Sequence, residues 1–330
     1  MGAAVSEAMP GMEETATNGT GTSGATTMIG VVMAERLYAG LIVDHQLVGE
    51  LKSLPPASVQ LGADEDNSMV EMPTAEVIES ICRLVVDVAK GREGAILAVG
   101  VAVPGLIRNG VVEEAPNLPQ LKGARVEAKL TEALAAHGIV TKVDVVNDAD
   151  AVAAGLASKH GKLDHFLRVW TLGTGIGFGT YPFAEGVWEN GHTVVTLDEK
   201  ENFCGCGGRG HLEGIMGHRS MRLRFLDMEP EEVFAAANRR EPDARCLEFK
   251  KLWHRALAAA TASSIHSRGP GRFFLTGYNV RFLDLNMLKD YLHQMVKMSP
   301  LQSYMLEVVE DSDATRVLGA AVAAEQAVGR

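Results

Sequence analysis

The densest chemistry in the chain lies between residues 189 and 213, ENGHTVVTLDEKENFCGCGGRGHLE. Cys204 and Cys206 stand one residue apart, His211 follows in the same loop, and His192 can join from upstream. Two thiolates and two imidazoles suit a tetrahedral zinc ion, and four protein ligands close the site, so such an ion is structural rather than catalytic. Gly205, Gly207, Gly208 and Gly210 permit the sharp turns that a chain wrapping around a metal needs. The competing account is two unpaired thiols and two surface histidines. Dense Cys and His with glycine spacers favours the metal.

Two further segments carry chemistry. NDAD, residues 147 to 150, sits where an apolar strand ends and a helix begins. Ligands of α/β folds collect at such strand ends, and the Asp148 carboxylate could take a proton from a substrate hydroxyl there. Alternatively, Asn147 or Asp148 only caps the helix. TLGTGIGFGT, residues 171 to 180, places glycines at 173, 175, 177 and 179. Gly173, Thr174, Gly175 and Gly177 could form an anion-binding nest for phosphate, or simply a glycine-rich β-hairpin.

These segments must be held by a sizeable scaffold. From Met28 the text MIGVVMAERLYAGLIVD followed by HQLVGEL predicts a small β-meander. Thr74 can cap a helix bearing Val77, Ile81, Leu84, Val85 and Val88 at helical spacing. AILAVGVAVPG has the continuous apolar character of a buried strand, and Asn109-Gly110 predicts a tight hairpin. A helix over 124 to 137, a strand over 143 to 146, the helix that opens at NDAD and a strand over 166 to 173 complete a β-α-β rhythm, hence α/β layers. The length of 330 residues favours two domains.

Composition narrows the function. The formal net charge of -11 argues against nucleic-acid binding, which draws on Lys and Arg. No apolar run reaches the roughly 18 residues of a membrane span. Four cysteines, two of them one residue apart in CGC, indicate a reducing, cytoplasmic setting. Residues 1 to 27, rich in Gly, Thr, Ala and Ser, are expected to be a disordered tail. Glu7, Glu13 and Glu14 with no apolar core argue against a secretory signal, and Met1 and Met28 both stand as translation starts.

The ordered motifs APNLP (115 to 119), NDAD, GTGIGFG, the segment from 186 to 192, CGCGGRGHLE and LGAAVAA (318 to 324) resemble the ROK family. That family comprises bacterial glucokinases, other hexose and N-acetylhexosamine kinases, and related transcriptional repressors. The resemblance covers nearly all of residues 28 to 325. It implies an α/β, two-domain actin/hexokinase-like (ribonuclease H-like) fold with an interdomain cleft. The small domain would be residues 28 to 121, joined by a C-terminal helix at 315 to 330, and the large domain 122 to 314. The activity implied is ATP-dependent phosphoryl transfer to a hydroxyl of a hexose or amino-hexose, with Mg2+ accompanying the nucleotide and a homodimer as the assembly. Asn117, Asn147, Glu189, His192 and Glu213 would hydrogen-bond the sugar, with His192 also ligating zinc. Asp148 would be the general base, and Gly277 would lie on the adenosine side.

The chain also departs from the family pattern. Where its members have D-x-G-G-T-K, this sequence reads IGVVMAERLYAG, with Val32 in place of the acid and Ala34 and Glu35 near the glycine positions. Phe178 replaces a glycine, Trp188 fills another beside the sugar, and TGY at 276 to 278 keeps one glycine of three. His211 replaces a third cysteine. Two functions follow: a sugar kinase, or a catalytically impaired sugar-binding or regulatory homologue. A repressor would need a helix-turn-helix, and residues 1 to 27 show no helical pattern.

Overall fold

The computed structural model describes residues 25–34, 36–56, 58, 68–116, 118–183 and 189–328. Asn117, Glu35, Trp188 and most of the expected N-terminal tail lie outside the described residues. Strand β1 (Thr27–Met33) pairs antiparallel with β2 (Leu37–Val43), which pairs with β3 (Gln46–Leu54), forming the expected meander. After α1 (Ser68–Glu71) and α2 (Thr74–Ala89), β4 (Ala98–Val103) inserts parallel to β1. β1 is covered on both faces, which explains its near-continuous apolar sequence.

Thr74 is not the cap. Pro73 precedes the helix and its carbonyl accepts the N–H of Glu76 and Val77, while Thr74 Oγ1 donates to the Gln120 carbonyl at 2.6 Å. A tertiary acceptor has displaced the local one. The Asn-Gly expectation fits: β5 (Leu106–Arg108) and β6 (Val111–Glu114) are joined through Asn109 at φ 50° and Gly110 at φ 70°.

Helix α3 (Val126–Ala136) leads into β7 (Lys142–Asn147), which pairs parallel with β4. The first sheet therefore runs β3-β2-β1-β4-β7. Parallel neighbours need a crossover. The stretch from α3 through β7 thus belongs to the first sheet, and the boundary expected at residue 121 falls inside that layer.

Helix α4 (Asp148–Lys159) then leads to β8 (Leu167–Leu172) and β9 (Ile176–Tyr181). α5 (Leu212–Met216), α6 (His218–Arg224), α7 (Pro230–Ala237) and α8 (Ala244–Arg268) follow, then β10 (Arg272–Thr276), α9 (Leu285–Met295), β11 (Met305–Val308) and α10 (Asp313–Val328). The second sheet runs β11-β10-β8-β9. Among the described residues no helix is long and apolar enough to cross a membrane.

One core lies between the first sheet and α2 and α3, and another joins the second sheet to α5 through α9. A third lies between the sheets: Met28, Val32 and Ala102 meet Ala151 and Ala154 of α4, Phe274 of β10, and Val317 and Ala321 of α10. Here α10 approaches at backbone distance. A Cβ on Gly30, Gly100 or Gly155 would collide with the carbonyl of Val317, Ala320 or Thr315, and one on Gly319 with the carbonyl of Ala151.

This packing predicts the consequence of one added methyl. Gly319→Ala is expected to lose about 1–3 kcal/mol of stability, the usual cost of overpacking. Gly94→Ala, whose Cβ would meet open space, is expected to stay within about 0.5 kcal/mol of the parent. Equal denaturation midpoints for the two variants would contradict the close approach.

Candidate functional site

The metal-ligating residues converge. A short 3-10 turn, Asn190–His192, rests on β9, where a Cβ on Gly191 would strike the Ile176 carbonyl. The N–H of Val195 donates to the Gly210 carbonyl and the N–H of Leu212 to the Thr193 carbonyl, drawing His211 alongside His192. His192 Nδ1 lies 3.3 Å from Cys204 Sγ, Cys204 Sγ lies 3.4 Å from Cys206 Sγ, and Cys206 Sγ lies 3.3 Å from His211 Nδ1. All four donors fall within 4.8 Å of one another. A tetrahedral zinc with its usual bond lengths needs donor separations of about 3.5–3.8 Å. The donor set and spacing fit such an ion after a small expansion. Burial pushes the Cys204 thiol up to about 12, so a cation must displace its proton to bind.

Glu213 connects this cluster to the glycine-rich turn. Its Oε1 lies 3.8 Å from Cys204 Sγ, and its Oε2 accepts the N–H of Ile176 at 3.0 Å. A Cβ on Gly175 would stand 2.5 Å from that Oε2, so glycine makes room for the carboxylate. Gly177 and Gly179 also serve close packing, against Thr171 and the Ala149 carbonyl. The Gly173 N–H is engaged by the Gly175 carbonyl at 3.0 Å. Three of these four glycines thus have a hairpin-packing reason, and the remaining N–H is already paired.

Gly277 has φ 96° and approaches the Leu172 carbonyl, so it too has a packing reason. Next to it, Asn279 donates to the Gly173 carbonyl at 2.8 Å and lies 3.2 Å from His218 Nδ1. Gly277 and the 173–175 turn are thereby brought together. Beside them a cavity of about 1000 Å³ is lined by Thr174, His218, Arg219 and Arg222. His218, Glu229 and Glu231 also cluster, but Glu229 pairs with Arg222 and Glu231 with Arg281.

At the end of β7, Asn147 caps α4: its Oδ1 accepts the Ala149 N–H at 2.8 Å and its Nδ2 donates to the Gly105 carbonyl at 2.7 Å. Asp148 is the first helical residue and also accepts the Ala149 N–H, at 2.9 Å. Burial lifts the Asp148 carboxyl above the ordinary aspartate range, opposed by the Arg316 charge and the Ala149 N–H, while Asp311 adds to the lift. Asp150 accepts the Thr180 N–H at 3.0 Å. Its pKa rises to about 6 through desolvation, which the Thr180 hydrogen bond opposes and the Asp148 and Glu189 charges reinforce. Glu189 is also raised, by desolvation first; His192 opposes this, and Asp148 and Glu213 add to it. Asp148, Glu189, His192 and Glu213 therefore share one electrostatic environment.

Among the described residues of the first hairpin none is acidic, and Glu35 lies outside them. Val32 is fully buried in the core between the sheets. The Ala34 N–H donates to the Arg36 carbonyl, and the Arg36 guanidinium donates to the carbonyls of Pro55 and Pro56 at 3.2 and 2.7 Å. Sequence reasoning missed Asp150 as a charged member of the site, although it stands inside NDAD. It also missed Arg316, which belongs to no motif, and His218, which follows the metal loop without a distinctive spacing.

Residues 60–327 match the ROK family, and the chain belongs to it. The chain is 28% identical over 229 residues to a glucokinase of Pyrobaculum calidifontis, covering 65% of this chain and 73% of that protein. It is also 28% identical over 204 residues to an N-acetylmannosamine kinase of Haemophilus influenzae, covering 58% of this chain and 66% of that one. The ROK hexokinase of Thermus thermophilus superposes with a TM-score of 0.71 at 21% identity, covering 92% of this chain and 99% of that one. The fold is accordingly α/β and actin/hexokinase-like.

The raised Asp150 gives a pH signature. Its folded pKa of about 6 exceeds the unfolded value of about 3.9, so the folded state binds more protons between the two and stability falls as pH rises through that window. Asp150→Asn lacks this charge. Its melting temperature is expected to exceed the parent's at pH 7.5, with the gap closing toward pH 4. A gap that does not change with pH would contradict the assignment.

Proposed function

We propose that the chain is a sugar kinase that transfers the γ-phosphoryl group of ATP to a hydroxyl of a hexose or amino-hexose. The observation that carries this reading is the placement of Asp148 at the start of α4, where its charge acts on Glu189 together with those of His192 and Glu213. Asp148 would accept the proton of the attacking hydroxyl as its oxygen bonds to the γ-phosphorus and ADP leaves. Asn147, Glu189, His192 and Glu213, with Asn117, would orient the sugar. The kinases among the relatives support the reaction class.

A structural zinc held by His192, Cys204, Cys206 and His211 would brace this pocket, since Cys204 contacts Glu213 and His192 adjoins Glu189. Such an ion would supply rigidity rather than Lewis-acid chemistry, because four protein ligands would fill its coordination. The Val32 side chain offers no oxygen to a magnesium ion, so the described residues of the first hairpin do not fit that metal, and no step is assigned to it.

A second reading, a sugar-binding homologue with impaired transfer, is favoured by one specific observation: Val32 is buried as core where a metal-organising acid would stand. Regulatory proteins of the family share the fold. Calorimetry with sugars and ATP, together with a coupled ADP-release assay on the same preparation, separates the two. Sugar binding without turnover would favour the second.

Asp148→Asn is expected to cut turnover by about a hundredfold or more while sugar affinity changes by no more than about threefold, because Asn keeps the shape but accepts no proton. Unchanged turnover would remove Asp148 from the mechanism. Metal analysis is expected to find one zinc per chain, and its removal to lower both melting temperature and sugar affinity. Full stability and affinity in metal-free protein would contradict the bracing role.

A further inference from the structure

The cysteine-histidine loop is tied at its base by a buried ion pair that stands apart from the four metal-ligating residues. Arg224, the last residue of α6, donates through Nη1 and Nη2 to the two carboxylate oxygens of Glu201, the Nη1 bond at 2.9 Å. The side chain of Glu201 is 9% exposed and that of Arg224 16%. A planar guanidinium held by both oxygens of a carboxylate is fixed in direction as well as distance. The same guanidinium lies over the Phe203 ring, 4.4 Å from its centroid, with the Phe249 ring of α8 at 5.3 Å. Among the described residues from 193 to 213, Glu201 alone enters an ion pair.

Glu201 stands where the two arms of the loop meet. Its carbonyl accepts the Gly210 N–H at 2.6 Å, which joins it to the residue before His211, and Cys204 follows three residues later. Phe203, next to Cys204, offers its carbonyl to Ser220 Oγ of α6 at 3.1 Å. Helix α6 is itself anchored. The His218 N–H donates to the Gly173 carbonyl at 3.0 Å, and Phe225, just past the helix end, packs on Phe249 with ring centroids 5.0 Å apart. The cysteine arm and the histidine arm are thus fastened to one helix by contacts that need no ion between them.

A buried ion pair adds little stability over apolar residues of the same volume, because desolvating two charges offsets their attraction. What it supplies is a fixed geometry, and a metal site needs one. A loop whose ligands are converged only about a tenth of the time binds its ion about tenfold more weakly than one in which they are always converged. We propose that the Arg224–Glu201 pair is a positioning device that sets Cys204, Cys206 and His211 opposite His192 before the ion arrives. The proposal rests on the zinc reading given above, and it assigns the order of the loop to the chain rather than to the metal. Both residues act through the loop backbone and neither is a ligand.

The test uses the full chain in metal-free form and the double variant Glu201→Leu with Arg224→Met, which removes both charges together and leaves neither buried alone. Hydrogen exchange is read by mass spectrometry on peptides covering residues 198 to 213. Exchange there is expected to rise about tenfold or more, while α8 and β10 exchange as in the parent and the metal-free melting temperature stays within about 3 °C. Zinc affinity, measured by competition with a chelating dye, is expected to fall about 10–100-fold, the usual effect of losing support behind the ligands. Unchanged exchange in the loop, faster exchange spread evenly over the whole chain, or faster loop exchange with unaltered zinc affinity would each overturn the proposal.

If the double variant does not fold, Glu201→Gln decides the matter, since it keeps the shape and one acceptor but loses the charge-assisted bonds. Loop exchange in the metal-free protein is then expected to rise about threefold or more, and an unchanged rate would overturn the proposal. If the parent protein binds no zinc, the zinc reading fails separately. Exchange in the metal-free chain still decides whether the pair orders the loop.

Discussion

The structure depends on the backbone contact that α10 makes with its surroundings. Gly30, Gly100 and Gly155 each lie where a side chain would meet a carbonyl of α10, and Gly319 lies where one would meet α4. Dispersion falls off steeply with separation, so contact at this range is both strong and intolerant of change. It ties the last helix to β1, β4 and α4 at once, and α4 carries the residues most able to do chemistry. The position of Asp148 thus derives from contacts made by residues more than 150 positions away in sequence.

A second organising element is the cysteine-histidine loop. The bridge between Val194 and His211 closes it, and Ser220 fastens it to α6 through the Phe203 carbonyl. Glu213 then spans from the thiols to the N–H of Ile176 at the start of β9. Loop, strand and helix consequently meet in a small volume with several carboxylates. Such a concentration of acids is costly unless hydrogen bonds and cations offset it, which is why N–H donors and Arg316 recur around Asp148 and Asp150.

Much of this was legible in the sequence because the signals were local. Asn109-Gly110 specifies its own turn, and the donors His192, Cys204, Cys206 and His211 lie within about twenty residues of one another. The continuous apolar text of β1 and β4 reported strands covered on both faces. The illegible parts were tertiary. Thr74 found an acceptor on Gln120, 46 residues away. β7 joined the first sheet by pairing with β4 rather than starting the second. The glycines near residue 175 suggested phosphate, but their neighbours Glu213, Thr171 and Ala149 supply packing reasons that spacing alone does not reveal.

The central claim is that the carboxyl of Asp148 receives the proton of a sugar hydroxyl. A crystal structure with bound hexose or N-acetylhexosamine tests it most directly. The account expects one sugar hydroxyl oxygen within about 2.6–3.2 Å of an Asp148 carboxylate oxygen, with other hydroxyls on Glu189, His192 and Glu213. A sugar bound in that pocket with no hydroxyl in reach of Asp148, or bound elsewhere in the molecule, would contradict it.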